Sequence, residues 1–568
     1  MKMRVSLVAV ALVLGKMTFA QSVDDGKRFL YYQRYQSAKD AFQKALTAKP
    51  NDGEITYWLG QAELGLKDST GARDLYQKAV QANGNDPWSL VGIGETELMF
   101  NNVADAKNRF ETAISLTKAK DPEILKAVAR ANINATLGDA NYAIEKLNQA
   151  ADREKKHPQA STYQLIGDAY AKLIDGGNAI TNYTNALTSD PKFAAAYYGQ
   201  GLIYETQKNP TQYVPDFEAA AGVDPNYAPA YYELYKHFFT RDVDSSKFYL
   251  QKYTAVTDAG PKLDIANAEI LYAGQHFQEA IDKAKALLNT LPADAKPHLY
   301  KLIAYSYNDS KDFASAKTYM DLFLANSTDV YVTPPQIAPR NYVVASEIYF
   351  HAGASSDSIF TFLKRAIALD TLPANKVAYI QTAANLSDSL NDPIQKAYWV
   401  GQIYQNNPNA TNLDLYNWGT TLFNAGESVR AKDTAKTGAS NFLYVRADSV
   451  FGVYSVKYPD QVYGYYWRAR ANAQLDTNYA KGLANPYYEK MVQVADSSKD
   501  SASYIPNVEA AYGYFINYYL KKKDYKNIYD YCVKYLTLDP NNDQIKNLKN
   551  VLEKYINKTS GGAAKTGK

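Results

Sequence analysis

Residues 163–193 read YQLIGDAYAKLIDGGNAITNYTNALTSDPKF. Tyr163, Ile166, Gly167 and Tyr170 recur at i, i+3, i+4 and i+7, one apolar stripe on an α-helix. A polar turn at Asp175-Gly176 follows, and Ala179, Tyr183 and Ala186 make a second stripe at the same spacing. Pro191 then stops the second helix, because the residue before a proline avoids the helical region. The next stretch repeats the pattern with Tyr197, Gly201, Tyr204, Phe217, Ala220 and Pro225. Gly167 and Gly201, like Pro191 and Pro225, stand 34 residues apart. A period of that length marks an array of helical hairpins. One hairpin cannot bury its own apolar face, so neighbours must stack.

Other units fit the same template. Leu59-Gly60, Ala72, Tyr76 and Ala79 form one, and Ile93-Gly94, Ala106, Phe110 and Ala113 the next. An early unit carries Gly26, Phe29, Tyr35, Ala38, Phe42, Ala45 and Pro50; a later one Tyr300, Ala304, Tyr307, Phe313, Ala316, Met320 and Phe323. Near the end come Ala469, Ala484, Tyr488 and Met491, then Tyr525, Ile528, Cys532, Tyr535 and Pro540.

In this order of large, small, aromatic and proline positions the chain resembles the tetratricopeptide repeat family. The resemblance implies an all-α, right-handed superhelical solenoid of antiparallel hairpins, roughly 14 units over about 22–557. It also implies that the first helix of each hairpin lines a concave groove, with its fifth position facing inward. That position is Tyr57, Tyr198, Tyr232 and Tyr466; Trp88, Gln164, Asp168, Lys236, Lys301 and Arg470 are further groove candidates. Aromatic rings with interspersed polar groups suit peptide segments, because rings give large contact area at low entropy cost. Most of the 50 tyrosines nevertheless fall at packing positions and are expected in the core.

The ends read differently. Lys2 and Arg4 precede an apolar run from Val5 to Leu14, and Thr18-Phe19-Ala20 ends in a small residue, the form of a secretory signal peptide cleaved after Ala20. A run of that length falls short of the ~20 residues a spanning helix needs. Only one cysteine is present, Cys532, at a packing position, so neither a lipid-anchor cysteine after Ala20 nor an intramolecular disulfide is available. Without Lys2, Arg4 and Lys16 the 62 Lys+Arg fall to 59 and match the 59 Asp+Glu. A neutral chain without a basic stretch has no electrostatic footprint for nucleic acid.

The expected organisation is a signal peptide (1–20), an N-terminal array (21–326), a Pro-rich insertion or linker (327–340), a degenerate C-terminal array (341–557) and a disordered tail (558–568). Further insertions are expected at Gly426–Asn441 and Asp496–Asn507.

Catalytic patterns are wanting. His157, His237, His276, His298 and His351 are scattered without metal spacing and read as solvated helix positions. Gly92-Ile93-Gly94-Glu95 lacks the third glycine of a phosphate loop, and Asp539-Pro-Asn541-Asn-Asp543 lacks the sixth-position glycine of a calcium loop. Asp-Ser/Thr pairs such as Asp68-Ser69, Asp357-Ser358 and Asp448-Ser449 look like acceptors for O-glycosylation in some exported proteins, but helix capping explains them too. The expectation is thus a non-enzymatic, cofactor-free periplasmic scaffold that holds a protein partner of the bacterial cell envelope. A nutrient- or glycan-binding component of outer-membrane uptake is the alternative.

Overall fold

A computed structural model describes residues 22–154, 158–326, 337–434 and 438–562. Over these residues the chain is α-helical, with two short 3-10 turns and no strand. It divides into two compact units, Met1–Ser310 and Lys311–Lys568. The expected signal peptide, most of the Pro-rich stretch and the last six residues lie outside the described residues.

In the first unit, α1 (22–31) and α2 (Tyr35–Ala48) open a series of hairpins: α3 (Gly53–Gly65) with α4 (Ser69–Ala82), α5 (Pro87–Met99) with α6 (Val103–Leu116), and α7 (Pro122–Asn134) with α8 (Ala140–Arg153). There follow α9 (Ala160–Lys172) with α10 (Gly176–Ser189), α11 (Ala194–Thr206) with α12 (Pro210–Val223), α13 (Ala228–Phe238) with α14 (Val243–Val256), and α15 (Pro261–Ala273) with α16 (Phe277–Leu287). Helix α17 (Lys296–Asp309) ends the unit.

The second unit begins with α18 (Phe313–Ala325). Its hairpins are α19 (Pro339–His351) with α20 (Ser356–Leu369), α21 (Pro373–Ser389) with α22 (Pro393–Asn406), α23 (Asn412–Lys432) with α24 (Asn441–Lys457), α25 (Val462–Leu475) with α26 (Asn485–Ser497), and α27 (Ile505–Lys522) with α28 (Tyr525–Leu538). Helix α29 (Asp543–Gly562) packs on α28.

Local chemistry explains the beat. Asp52, Asp68, Asp86, Asp121, Asp139 and Asp175 each precede a helix and accept a hydrogen bond from a backbone N–H in its first turn. Such caps satisfy donors that the helix itself leaves unpaired. The tight turn within a hairpin places a left-handed residue before the capping position: Lys67 (φ 64°), Asn101 (67°), Ile174 (61°), Lys208 (55°) and Asn391 (54°).

Packing within and between hairpins rests on one ring meeting two glycines. A Cβ at Gly167 or at Gly199 would come within 2.6 Å of the Tyr183 ring, so α9 and α11 both close on α10 through that tyrosine. Gly60 and Gly92 clasp Tyr76 in the same way, which gives the Gly92-Ile-Gly94 pattern a packing role.

Several expectations change at the insertions. Residues from Gly426 to Lys432 continue α23, Ser501–Tyr504 is a 3-10 turn, and Pro506 sits in the first turn of α27. Helix α29 takes in the start of the stretch expected as a tail. Cys532 is fully buried in the last hairpin, and burial pushes its thiol up to about 11, so it packs as an apolar residue.

Two of the histidines also differ from expectation. His298 is buried, with its Nε2 2.7 Å from Glu269, and the His237 Nδ1 lies 2.8 Å from the Tyr213 hydroxyl. His351, which stacks on Phe313, and His276 are exposed, and His157 lies outside the described residues. His298 sits inside because it takes the slot that Thr162, Ala196 and Ala230 fill at multiples of 34 residues before it, all buried.

Candidate functional site

Consecutive first helices touch: α3 packs on α5, α5 on α7, α7 on α9 and α9 on α11. Elements that approach more closely lie on the side of smaller radius, so these first helices form the inner face of the first unit. There the candidate residues separate into a closed region and an open one.

The closed region contains Tyr57 and Trp88. Tyr57 is 0% exposed, with its ring centroid 5.1 Å from that of Trp88 and 5.0 Å from that of Trp58. Burial drives its hydroxyl well above the ordinary tyrosine range. Gln61 donates to Glu95 at 2.5 Å beside it, and Arg130 lies over Trp58. The tight packing of α3, α5 and α7 seals this position; Tyr57 is a core residue and offers no ligand surface. Trp88 is half-buried against it.

The open region runs from α9 to α15. Gln164 donates to Asp168, whose other carboxylate oxygen accepts from the Tyr183 hydroxyl at 2.8 Å. Desolvation pushes the Asp168 carboxyl up to about 6, and Tyr183 and Arg130 pull the other way. Tyr198 is half-buried between Phe217 and Tyr227, each 5.7 Å away by centroid. Tyr232 carries the Lys262 ammonium 3.5 Å above its ring, with the Lys236 ammonium at 5.8 Å. Lys236 pairs with Glu233 and lies 4.0 Å from Glu205.

Lys262 opens α15 and stands over the Tyr232 ring. Its side chain is exposed to water, yet desolvation pulls its ammonium down to about 8, with Glu233 opposing and Lys236 assisting.

The first hairpin closes this region. The Tyr31 hydroxyl accepts from the Ala195 N–H at 3.1 Å, and its ring meets those of Tyr227 at 5.2 Å and Phe193 at 5.7 Å. Arg34 Nε donates to Asp258 at 3.0 Å, and Ser37 donates to the same carboxylate through its backbone N–H at 2.9 Å and its hydroxyl at 2.6 Å. The unit therefore closes on itself.

Lys301 lies on α17 near Glu269, at the far end of the same unit. Tyr466 and Arg470 stand apart in the second unit, where the Arg470 guanidinium lies 4.6 Å over Trp467 and 4.7 Å over Phe423. The structure thus brings together Gln164, Asp168, Tyr198, Tyr232 and Lys236, and adds Lys262, Glu205 and Glu233, which the sequence reading missed. Lys262 opens α15, where no tyrosine marks the fifth position. Among the described residues no group of His, Cys, Asp or Glu could hold a metal ion.

Comparison with known proteins agrees with the architecture. The family model described as tetratricopeptide repeat matches residues 24–87 and 165–230. Those two stretches match the tetratricopeptide repeat, and hairpins of the same make continue through the described residues, which supports the tetratricopeptide repeat family. Members of that family mediate protein–protein interactions. No curated protein matches the sequence.

Three solved structures illustrate the likeness. The C-terminal part of a TPR repeat-containing protein from Cytophaga hutchinsonii is 20% identical, covering 50% of this chain and 98% of its own, with a TM-score of 0.27. A tetratricopeptide repeat protein from Parabacteroides merdae is 11% identical over 51% of this chain and 99% of its own, TM-score 0.26. The Cut9–Hcn1 hetero-tetramer of the APC/C supplies a chain 12% identical over 95% of this one and 98% of its own, TM-score 0.33. Superpositions at these scores have no bearing on function.

Proposed function

We propose that this protein is an exported, periplasmic scaffold of a bacterial cell envelope that holds a segment of a partner protein against the inner face of its first unit. The observation that carries the reading is the cluster of Asp168, Tyr198, Tyr232 and Lys262 on successive first helices, the first three half-buried and Lys262 exposed. Aromatic faces give contact area, while Asp168, Lys236 and Lys262 offer charges of both signs to fix register. The arrangement holds and orients a chain, and no enzyme chemistry is assigned to it.

Export rests on Lys2, Arg4, the apolar run Val5–Leu14 and the small residue Ala20. Among the described residues no helix is long and apolar enough to cross a membrane.

Affinity capture from envelope extracts tests both parts. The mature chain should begin at Gln21 and return a defined protein, and Tyr198→Ala with Tyr232→Ala should lose that protein while the helical signal persists. A chain that keeps residues 1–20 in the cytoplasm would overturn export. Glycan binding without a protein partner would replace the scaffold reading with the uptake alternative.

A further inference from the structure

The second unit carries a cleft that the inner-face reading leaves unused. Helices α22 and α24 both pack on α23, and between them, beside α20, lies a cavity of about 400 Å³. The floor is the Trp418 indole. It lies flat on α22 because Gly401 has no side chain: a Cβ there would meet the indole nitrogen at 2.5 Å. The walls mix partly exposed rings, Tyr398 43% and Phe442 49% accessible, with Gln395, Gln402 and Gln405. Exposed rings gathered around one cleft are uncommon on a surface without a partner.

The rim has one sign of charge. Lys364 from α20 and Arg446 from α24 line the cleft, and no carboxylate does. Among the described residues neither cation makes an ion pair or a hydrogen bond with the protein, and both are exposed. Elsewhere in this unit Arg468 pairs with Asp448 at 2.9 Å and Lys396 with Asp388 at 2.7 Å. The volume is at the low end for ligand clefts, roughly 300–1,000 Å³. One large side chain and its neighbour fill it, whereas a whole helix does not.

We infer that this cleft is a second docking site, for a partner-protein segment that inserts an aromatic or branched aliphatic side chain between α22 and α24 and sets acidic residues against Lys364 and Arg446. The inserted side chain lies on the Trp418 indole between Tyr398 and Phe442. The flanking carboxylates reach the two cations in water, so charge governs selection and encounter rate more than total affinity. The site is built within the second unit, mostly from the second helices α20, α22 and α24.

The probes are two sets of fluorescein-labelled dodecapeptides, each carrying a central Trp-Leu pair, flanked in one set by Asp and Glu and in the other by Lys and Arg. With the full-length protein, fluorescence anisotropy should show the acidic set binding about tenfold tighter than the basic set. Lys364→Glu with Arg446→Glu should abolish that preference, and Tyr398→Ala should weaken the acidic set, all with unchanged thermal melts. Tyr198→Ala with Tyr232→Ala should leave this binding intact, which separates the cleft from the inner-face reading.

Equal affinity for both sets, no binding by either, or binding unaffected by the charge reversals would overturn the inference. So would sedimentation showing a dimer that the same reversals dissociate, since a second copy would then be the occupant.

Discussion

Arg34 and Asp258 meet at 3.0 Å although 224 positions separate them in sequence. Ser37 completes the contact with two further hydrogen bonds to the same carboxylate. Both side chains are mostly shielded from water, and together they tie the turn of the first hairpin to the loop after α14. The inner face of the first unit therefore has a latch at its opening.

Removing the latch should loosen that unit. Asp258→Ala removes the acceptor of Arg34 Nε and of both Ser37 donors, which costs about 1–3 kcal/mol, although Arg34 Nη2 keeps its bond to the Ser37 hydroxyl. Hydrogen exchange should show α1 and α2 losing protection while the second unit is unchanged. Burial raises the Asp258 carboxyl, but the Ser37 and Arg34 hydrogen bonds outweigh it and hold the group below its ordinary value. A depressed folded value means the stabilisation is present at neutral pH. It is lost as the pH falls below about 4, and exchange measured across that range should show it.

Asp168 behaves in the opposite sense. Its folded value near 6 lies above the ordinary carboxyl value, so the folded state binds the proton more tightly. Its contribution to stability is fully present below about 4 and is lost as the pH rises through about 6. Asp168→Asn should therefore raise the melting temperature at pH 8 relative to the parent protein, and the difference should vanish at pH 4.

Ile174 is 93% exposed and holds φ at 61°, a conformation that a β-branched side chain disfavours. Nothing in its packing offsets that cost. Ile174→Gly should stabilise the first unit by about 0.5–1 kcal/mol, read as a higher urea midpoint with unchanged slope.

Tyr57 and Tyr232 should part company on truncation to alanine. Tyr57→Ala empties a sealed site and costs about 3–5 kcal/mol. Tyr232→Ala removes a half-buried ring under Lys262 and should weaken partner binding more than it lowers the melting temperature. A collapse of the fold with Tyr232→Ala would move that residue into the core.

Much of this was readable residue by residue. The glycines that meet Tyr76 and Tyr183 set the helix pairs, and the capping aspartates set their starts, because both signals are local. Three things were not readable. Tyr57 occupies the same slot as Tyr198, but the close packing of α3, α5 and α7 closes over it. The latch joins residues with no periodic relationship. His298 shares the buried slot of Thr162, Ala196 and Ala230, but its pairing with Glu269 joins two helices that no motif links.

The central claim is that the inner face of the first unit grips a partner protein. The direct measurement replaces Tyr232 with a photoreactive benzoylphenylalanine in the intact cell and irradiates it. The account predicts a covalent adduct with one envelope protein, lost when Lys262→Glu reverses the charge above that position, and absent when the probe stands at the exposed second-helix residue Thr184. Absence of any adduct at 232, or the same adducts from both positions, would contradict it.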